Sequence, residues 1–298
     1  MKQLITVLIM FVSVTVYGCD ICGGISMPST QGILPGTEYH FIGLRSSWIH
    51  FHTNESINHL SSTEHFVRTE LSGRYQFNKR ISAQVSIPYI FNSQLKSGET
   101  TMINGMGDSQ LFIYWNAIQK ENTEKQTNFT LRMGSGVKLP TGSYSRDVWE
   151  TNNLYPGTGS FDYGFNTYLS WYKGNFGLIN ENLITIKTQN PVEYKFGNAY
   201  LTRLLASYRV KIKQRTLLLP FAGISAFMTS RDHIQNIPVG QTFNSGTRVL
   251  AETGVSLFSK RMMYTLKYGL PLFQNLSGGD VKMNGTLEFS INYLIKKK

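Results

Sequence analysis

The stretch Glu64-His65-Phe66-Val67-Arg68-Thr69-Glu70-Leu71-Ser72-Gly73-Arg74-Tyr75-Gln76-Phe77 decides the fold. Val67, Thr69, Leu71, Tyr75 and Phe77 fall on one face of an extended chain. Arg68, Glu70, Ser72, Arg74 and Gln76 fall on the other. A period of two puts the two sets on opposite sides of a sheet. Asn78-Lys79-Arg80 then supplies a tight turn, and Ile81, Ala83, Val85, Ile87, Tyr89 and Phe91 continue the apolar face against Ser82, Gln84 and Ser86.

The same rhythm runs through the chain from residue 38 onward. Further alternating stretches are 109–117, 129–139, 161–172, 176–188, 199–211, 216–227, 247–258, 262–272 and 285–294. A first strand falls near 38–51, with its register open in either sense. The stretches 176–188 and 216–227 alternate poorly, and bulges would explain them. Short turns at 78–80, 119–126, 173–175, 212–215 and 259–261 take turns with long polar loops at 92–107, 141–160, 189–198, 228–246 and 273–284. An even set of about twelve antiparallel strands with that asymmetry describes a transmembrane β-barrel, with short periplasmic turns and long outer loops.

Composition agrees. Aromatics make up 13% of the 298 residues, mostly Tyr and Phe, as interfacial girdles require. Past the N-terminus no stretch approaches the ~20 apolar residues of a spanning helix. A soluble sandwich or propeller is the rival, but its strands run nearer five or six residues than ten. Residues 1–18 read as an export signal, with Lys2, an apolar run Leu4–Val16 and a small residue at Gly18. The expected organisation is a signal at 1–18, a periplasmic segment at 19–37 and a barrel at 38–298, located in a bacterial outer membrane after Sec-dependent export. The formal charge of +11 raises nucleic-acid binding as a class, yet the basic residues are spread through strands and form no helix or stripe. The expected partners are membrane lipid and a small-molecule solute, with no nucleic acid.

No catalytic constellation stands out, so no enzyme activity is expected. Ser230, Asp232 and His233 share one loop and could mimic a triad, but a polar loop explains them as well. The inward face carries more signal. Period two aims Arg45, Arg68, Glu70, Arg74, Arg132, Lys138, Arg203, Arg209, Arg248, Glu252, Lys267 and Glu288 at the lumen. A Lys or Arg facing lipid at the bilayer midplane costs ~2–4 kcal/mol, so these charges belong inside, hydrated or paired. Cations outnumber acids among them, which favours anionic solutes if the lumen is open. Arg–Glu ladders that merely brace the wall are the competing role.

No cofactor is expected, and a metal-handling role is the alternative function. Cys19 and Cys22, the only cysteines, could close a disulfide ring, hold a soft metal as thiolates, or carry an acyl group at Cys19. His50, His52, His59 and His65 gather around the first outer loop beside Glu64, where a His-x-His pair suits a divalent metal. They lie a strand away from the cysteines, at the other membrane face.

Three segments carry a family resemblance. They are Asn104-Gly105-Met106-Gly107-Asp108, Gly134-Ser135-Gly136-Val137-Lys138-Leu139-Pro140-Thr141-Gly142, and Tyr155-Pro156-Gly157-Thr158-Gly159-Ser160-Phe161-Asp162. Together they resemble the outer-membrane transporters of the phenol meta-degradation pathway family. The opening Cys-Asp-Ile-Cys-Gly, Gly32-Ile33-Leu34-Pro35 and Phe41-Ile42-Gly43-Leu44-Arg45 resemble a Bacteroidetes-type branch. The chain departs from that branch at Gly24, where a third cysteine stands in the family. The resemblance implies a barrel that passes small organic, aromatic or anionic solutes passively. It implies no catalytic residues.

Overall fold

The computed structural model describes residues 39–55, 60–146, 154–213, 216–238 and 245–296. Residues 1–18 and 19–37 lie outside the described residues, and with them the export signal, Cys19 and Cys22; His59 does too.

Seventeen extended segments follow in chain order: β1 Tyr39–Glu55, β2 Leu60–Gln76, β3 Ile81–Lys96, β4 Glu99–Met106, β5 Gln110–Asn122, β6 Thr127–Lys138, β7 Asp162–Lys173, β8 Phe176–Ile186, β9 Tyr194–Lys195, β10 Ala199–Tyr208, β11 Val210–Lys213, β12 Thr216–Thr229, β13 His233–Ile234, β14 Ile237–Pro238, β15 Gly246–Ser259, β16 Met262–Leu276 and β17 Val281–Lys296. β4 and β5 form one stave, broken at 107–109, and β11 continues β10. Each stave pairs antiparallel with its neighbour in sequence. β1 pairs with β17 and β10 with β12, so the wall closes as a twelve-stave barrel. β9, β13 and β14 form a small separate sheet on the long-loop side.

The outer surface is apolar because alternate side chains have nowhere else to go. Leu71, Val85, Ile113, Leu204, Leu266 and Phe289 are all exposed there. Trp115, Phe176, Tyr208 and Tyr293 ring the short-turn end, and Trp48, Tyr89, Phe161 and Phe273 ring the other. Two aromatic girdles around an apolar band are the outward face of a membrane barrel.

Several boundaries differ from the sequence expectation. The loop expected at 92–107 is a hairpin: β3 runs to Lys96, turns through Ser97 (φ 53°) and Gly98 (φ 83°), and returns as β4. Both central residues at positive φ suit a two-residue turn. Likewise 273–284 is mostly strand, bridged by a 3-10 turn at Ser277–Gly279, and β1 and β2 reach Glu55 and Leu60. These extensions exceed the ~9–11 residues that cross a bilayer. They stand above it, where both faces are wet and alternation carries no signal.

The bulges lie mostly elsewhere. β8 keeps an unbroken register with its neighbours and β12 with β10 and β15, whereas shifts occur at His50/Phe51, Asn116/Ile118, Lys211/Lys213 in β11 against β12, Val249/Leu250 and Gly269/Leu276. β8 alternates poorly because its polarity is mixed. Ile179 and Leu183 are buried inside, while Asn180 and Asn182 face outward. There Asn182 donates to Thr167 Oγ1 (3.2 Å) and accepts from Thr202 Oγ1 (2.8 Å) and Tyr200 OH (3.0 Å). That ladder satisfies polar groups that lipid would leave unpaired.

Prolines sit where the ladder lapses. Pro88 faces the break between β4 and β5, where Gly107 N donates to its carbonyl (2.8 Å). Pro220 lies between the last β10–β12 pair, Ser207–Phe221, and the first β11–β12 pair, Val210–Leu218. Without an N–H, proline is tolerated in a sheet only at such gaps.

The turn polarity gives a direct test. In a Cys19→Ser/Cys22→Ser background, Thr100→Cys should react on intact cells with an impermeant thiol reagent, and Lys79→Cys should react only after lysis. Equal labelling of both would contradict the orientation.

Candidate lumen site

The interior is packed, not hollow, over much of its length. At the short-turn end Phe41, Tyr168, Tyr172, Ile179, Leu205, Leu219, Phe221, Phe258, Met263 and Leu294 form an apolar floor. At the long-loop end Phe51, Phe66, Leu250, Leu276, Val281 and Met283 form an upper cluster. Leu154, from the connection between β6 and β7, reaches into that cluster from the far wall, and Asn92 Nδ2 donates to its carbonyl (2.7 Å). Residues 154–161 of that connection therefore lie over the mouth as a strap.

A belt of charge lies between the two. Arg45 and Arg68 both pair with the fully buried Glu70, at 3.0 and 2.9 Å. Arg203 bridges Glu181 (3.1 Å) and Glu252 (2.8 Å), and Ser225 Oγ donates to Glu252. Lys267 pairs with Glu288 at 3.2 Å. The register explains the pairs: Arg45 stands opposite Glu70, Arg203 opposite Glu181, and Lys267 opposite Glu288. Opposite charges across a ladder meet without reorganisation.

Other cations stack on rings. Arg74 lies over Phe41 (5.1 Å), Arg132 over Tyr168 (5.7 Å), Arg209 over Tyr172 (3.8 Å) and Arg248 over Phe227 (4.5 Å). Arg132 Nε also donates to Asn116 Oδ1 (2.9 Å). Lys138 is fully buried beneath the strap, so it braces the mouth.

That brace joins the three motif segments. Asp108 accepts from Lys138 Nζ (2.8 Å), Gly142 N (3.0 Å), Thr158 N (2.9 Å) and Thr158 Oγ1 (2.8 Å). Lys138 also donates to Thr158 Oγ1 and pairs with Asp162 (2.8 Å), which Ser160 Oγ and Thr188 N bond in turn. Lys187 lies 3.6 Å from Asp162. Gly107, Gly142 and Gly157 stack backbone on backbone: a Cβ on Gly142 would lie 2.8 Å from the Gly107 carbonyl carbon, and one on Gly157 would lie 2.6 Å from that of Gly142. Only glycine fits such an approach.

The sequence thus missed Asp108, Asp162, Glu181 and Lys187. Two of them, Asp108 and Asp162, stood inside the quoted motifs, one just past the expected loop 92–107 and one in the strand expected at 161–172. His50 and His65 stand in strands, as the alternation at 38–51 and 64–77 implies, and His52 moves from the expected loop into a strand. All three lie within β1 and β2 on the outer face of the wall. His50 stacks on His65 with ring centroids 4.5 Å apart, beside Trp48. No group of three or more His, Cys, Asp or Glu side chains able to hold a metal occurs among the described residues. Ser230, Asp232 and His233 make no triad either. Asp232 accepts from Tyr194 OH (2.6 Å) and Gly197 N (2.7 Å), and Ser230 Oγ accepts from Asn198 N (2.6 Å), tying two outer loops together.

The fold has solved counterparts. The COG4313 outer membrane channel from Pseudomonas putida F1 matches with a TM-score of 0.62 at 15% identity, over 90% of this chain and 99% of that one. The β domain of the Bordetella autotransporter BrkA matches at 0.49 with 9% identity, over 87% and 100% of the two chains. The NanC porin matches at 0.46 with 10% identity, over 85% and 98%. No family model and no curated protein matches the chain.

Proposed function

We propose that this chain is a channel of a bacterial outer membrane that passes small organic solutes, aromatic or anionic in character, after Sec-dependent export and loss of residues 1–18. One observation carries the reading: a closed wall apolar outside and charged within. Such a wall needs lipid around it and sets a belt of charge inside it. The motif segments that resemble the phenol meta-degradation transporters support the choice of solute, because all three converge on the strap over the mouth.

Reconstitution in planar bilayers tests this. Arg74, Arg132 and Arg209 pair with no carboxylate among the described residues, so the reversal potential in a salt gradient should report anion preference. That preference should fade with salt, because the Debye length falls from ~10 Å at 0.1 M to ~3 Å at 1 M. Cation preference would refute the charge argument. Absence of both conductance and solute permeation would refute the channel.

A further inference from the structure

Resting on that channel reading, we propose that Arg74 and Arg132 form a receiving subsite for the carboxylate of a small aromatic acid. Both side chains are buried in the lumen wall, at 4% and 6% exposure. The Arg74 side chain makes no hydrogen bond among the described residues, and its Nε and Nη2 are buried without a partner. Its guanidinium lies over the Phe41 ring, 5.1 Å from the centroid. Arg132 uses only Nε, on Asn116, so its terminal nitrogens are uncommitted. Arg74 and Arg132 lie over Phe41 and Tyr168, two rings of the same apolar cluster.

A guanidinium group buried without a partner calls for an anion, and a second one over a ring of the same floor can share it. The chain does not supply one here among its described carboxylates. Glu70 is taken by Arg45 and Arg68, and Glu181 by Arg203. Other polar atoms are left open in the same wall. The Tyr114 hydroxyl, only 1% exposed as a residue, has no partner, and neither does Nε2 of Gln84, which stands opposite Arg74 across the ladder. A planar anion that accepts from a guanidinium fork and a phenol would satisfy them together.

The surroundings select the rest of the molecule. Phe112 and Tyr114 stack at 5.7 Å and occupy the places where side chains at Gly134 and Gly136 would stand. Phe41 and Tyr168 face the two arginines and belong to the apolar floor. Flat aromatic walls beside an anion receptor fit a ring that bears a carboxylate. A phosphate ester or an inorganic anion would leave those walls unused.

Calorimetric titration of the purified full-length barrel, with sodium benzoate and with benzamide as its uncharged counterpart, tests the subsite. Heat-modifiable gel migration establishes that each variant is folded. Arg74→Gln and Arg132→Gln should each weaken benzoate binding at least about tenfold, the range expected for losing a charge-assisted hydrogen bond. Benzamide binding should not change, and Arg80→Gln, in an exposed turn, should bind benzoate as the parent does. Equal affinity for the two compounds, unchanged benzoate binding in the arginine variants, or no benzoate binding by the parent would overturn the subsite. Conductance of the same preparations separates the two ideas. A conducting barrel with arginine-independent benzoate binding defeats the subsite alone. A barrel that binds benzoate through the arginines but passes nothing defeats the channel alone.

Discussion

Glu70→Gln is expected to be the most damaging single change in the lumen and to make the barrel more anion-selective at the same time. Glu70 is fully buried and holds both Arg45 and Arg68. Removing one partner of a buried ion pair costs roughly 3–5 kcal/mol, because the remaining charge is stranded out of water. Here two guanidinium groups are stranded by one substitution. The midpoint of urea unfolding should drop sharply, and the reversal potential should shift toward anions. Arg68→Gln should do much less, since Arg45 still serves Glu70. If Glu70→Gln and Arg68→Gln proved equally mild, the belt would be a set of hydrated charges and not a brace.

The second large effect is expected at the strap. Gly157→Val places a side chain against the backbone of Gly142, and no rotamer can relieve a backbone clash. The bonds from Gly142 and Thr158 to Asp108 should fail, the strap should lift, and Leu154 should leave the upper cluster. Limited proteolysis should then cut within the strap, and single-channel conductance should rise. Leu154→Ser isolates the apolar anchor, whose burial stabilises by ~1.5–3 kcal/mol. It should loosen the strap without disturbing Asp108. A strap open to protease with conductance at the parent level would place the barrier at the apolar floor.

What could be read from the sequence follows from what each strand faces. β2 was plain because lipid lies on one side of it and charge on the other. The β3–β4 hairpin was hidden because water lies on both sides of it. β8 and β12 resisted a register because side chains such as Ile179, Leu183, Leu219 and Phe221 point inward to pack, so apolar residues occur on both faces. The inward direction of Arg68 and Arg74 was legible from period two alone. Their different fates were not. Arg68 pairs with Glu70 two residues along, within a triad completed by Arg45 on the next strand, while Arg74 stands opposite Phe41 and Gln84. Partnership across a wall depends on the register of neighbouring strands, which a single alternating stretch does not contain. The same holds for Asp108, whose partners come from residues 30 to 50 positions away.

The seam between β1 and β17 carries a consequence for assembly. Tyr39 pairs with Lys296 and Thr53 with Val281, so the first and last described strands meet along nearly their whole length. Until that meeting, the sheet is an open ribbon with two unpaired edges, each able to recruit another chain. Closing it joins segments from opposite ends of the polypeptide, the kind of long-range contact that forms slowly. Loss of the final strand would not yield a narrower pore. It would leave β1 and β16 without partners in a medium that offers no hydrogen bonds, and aggregation would compete with insertion.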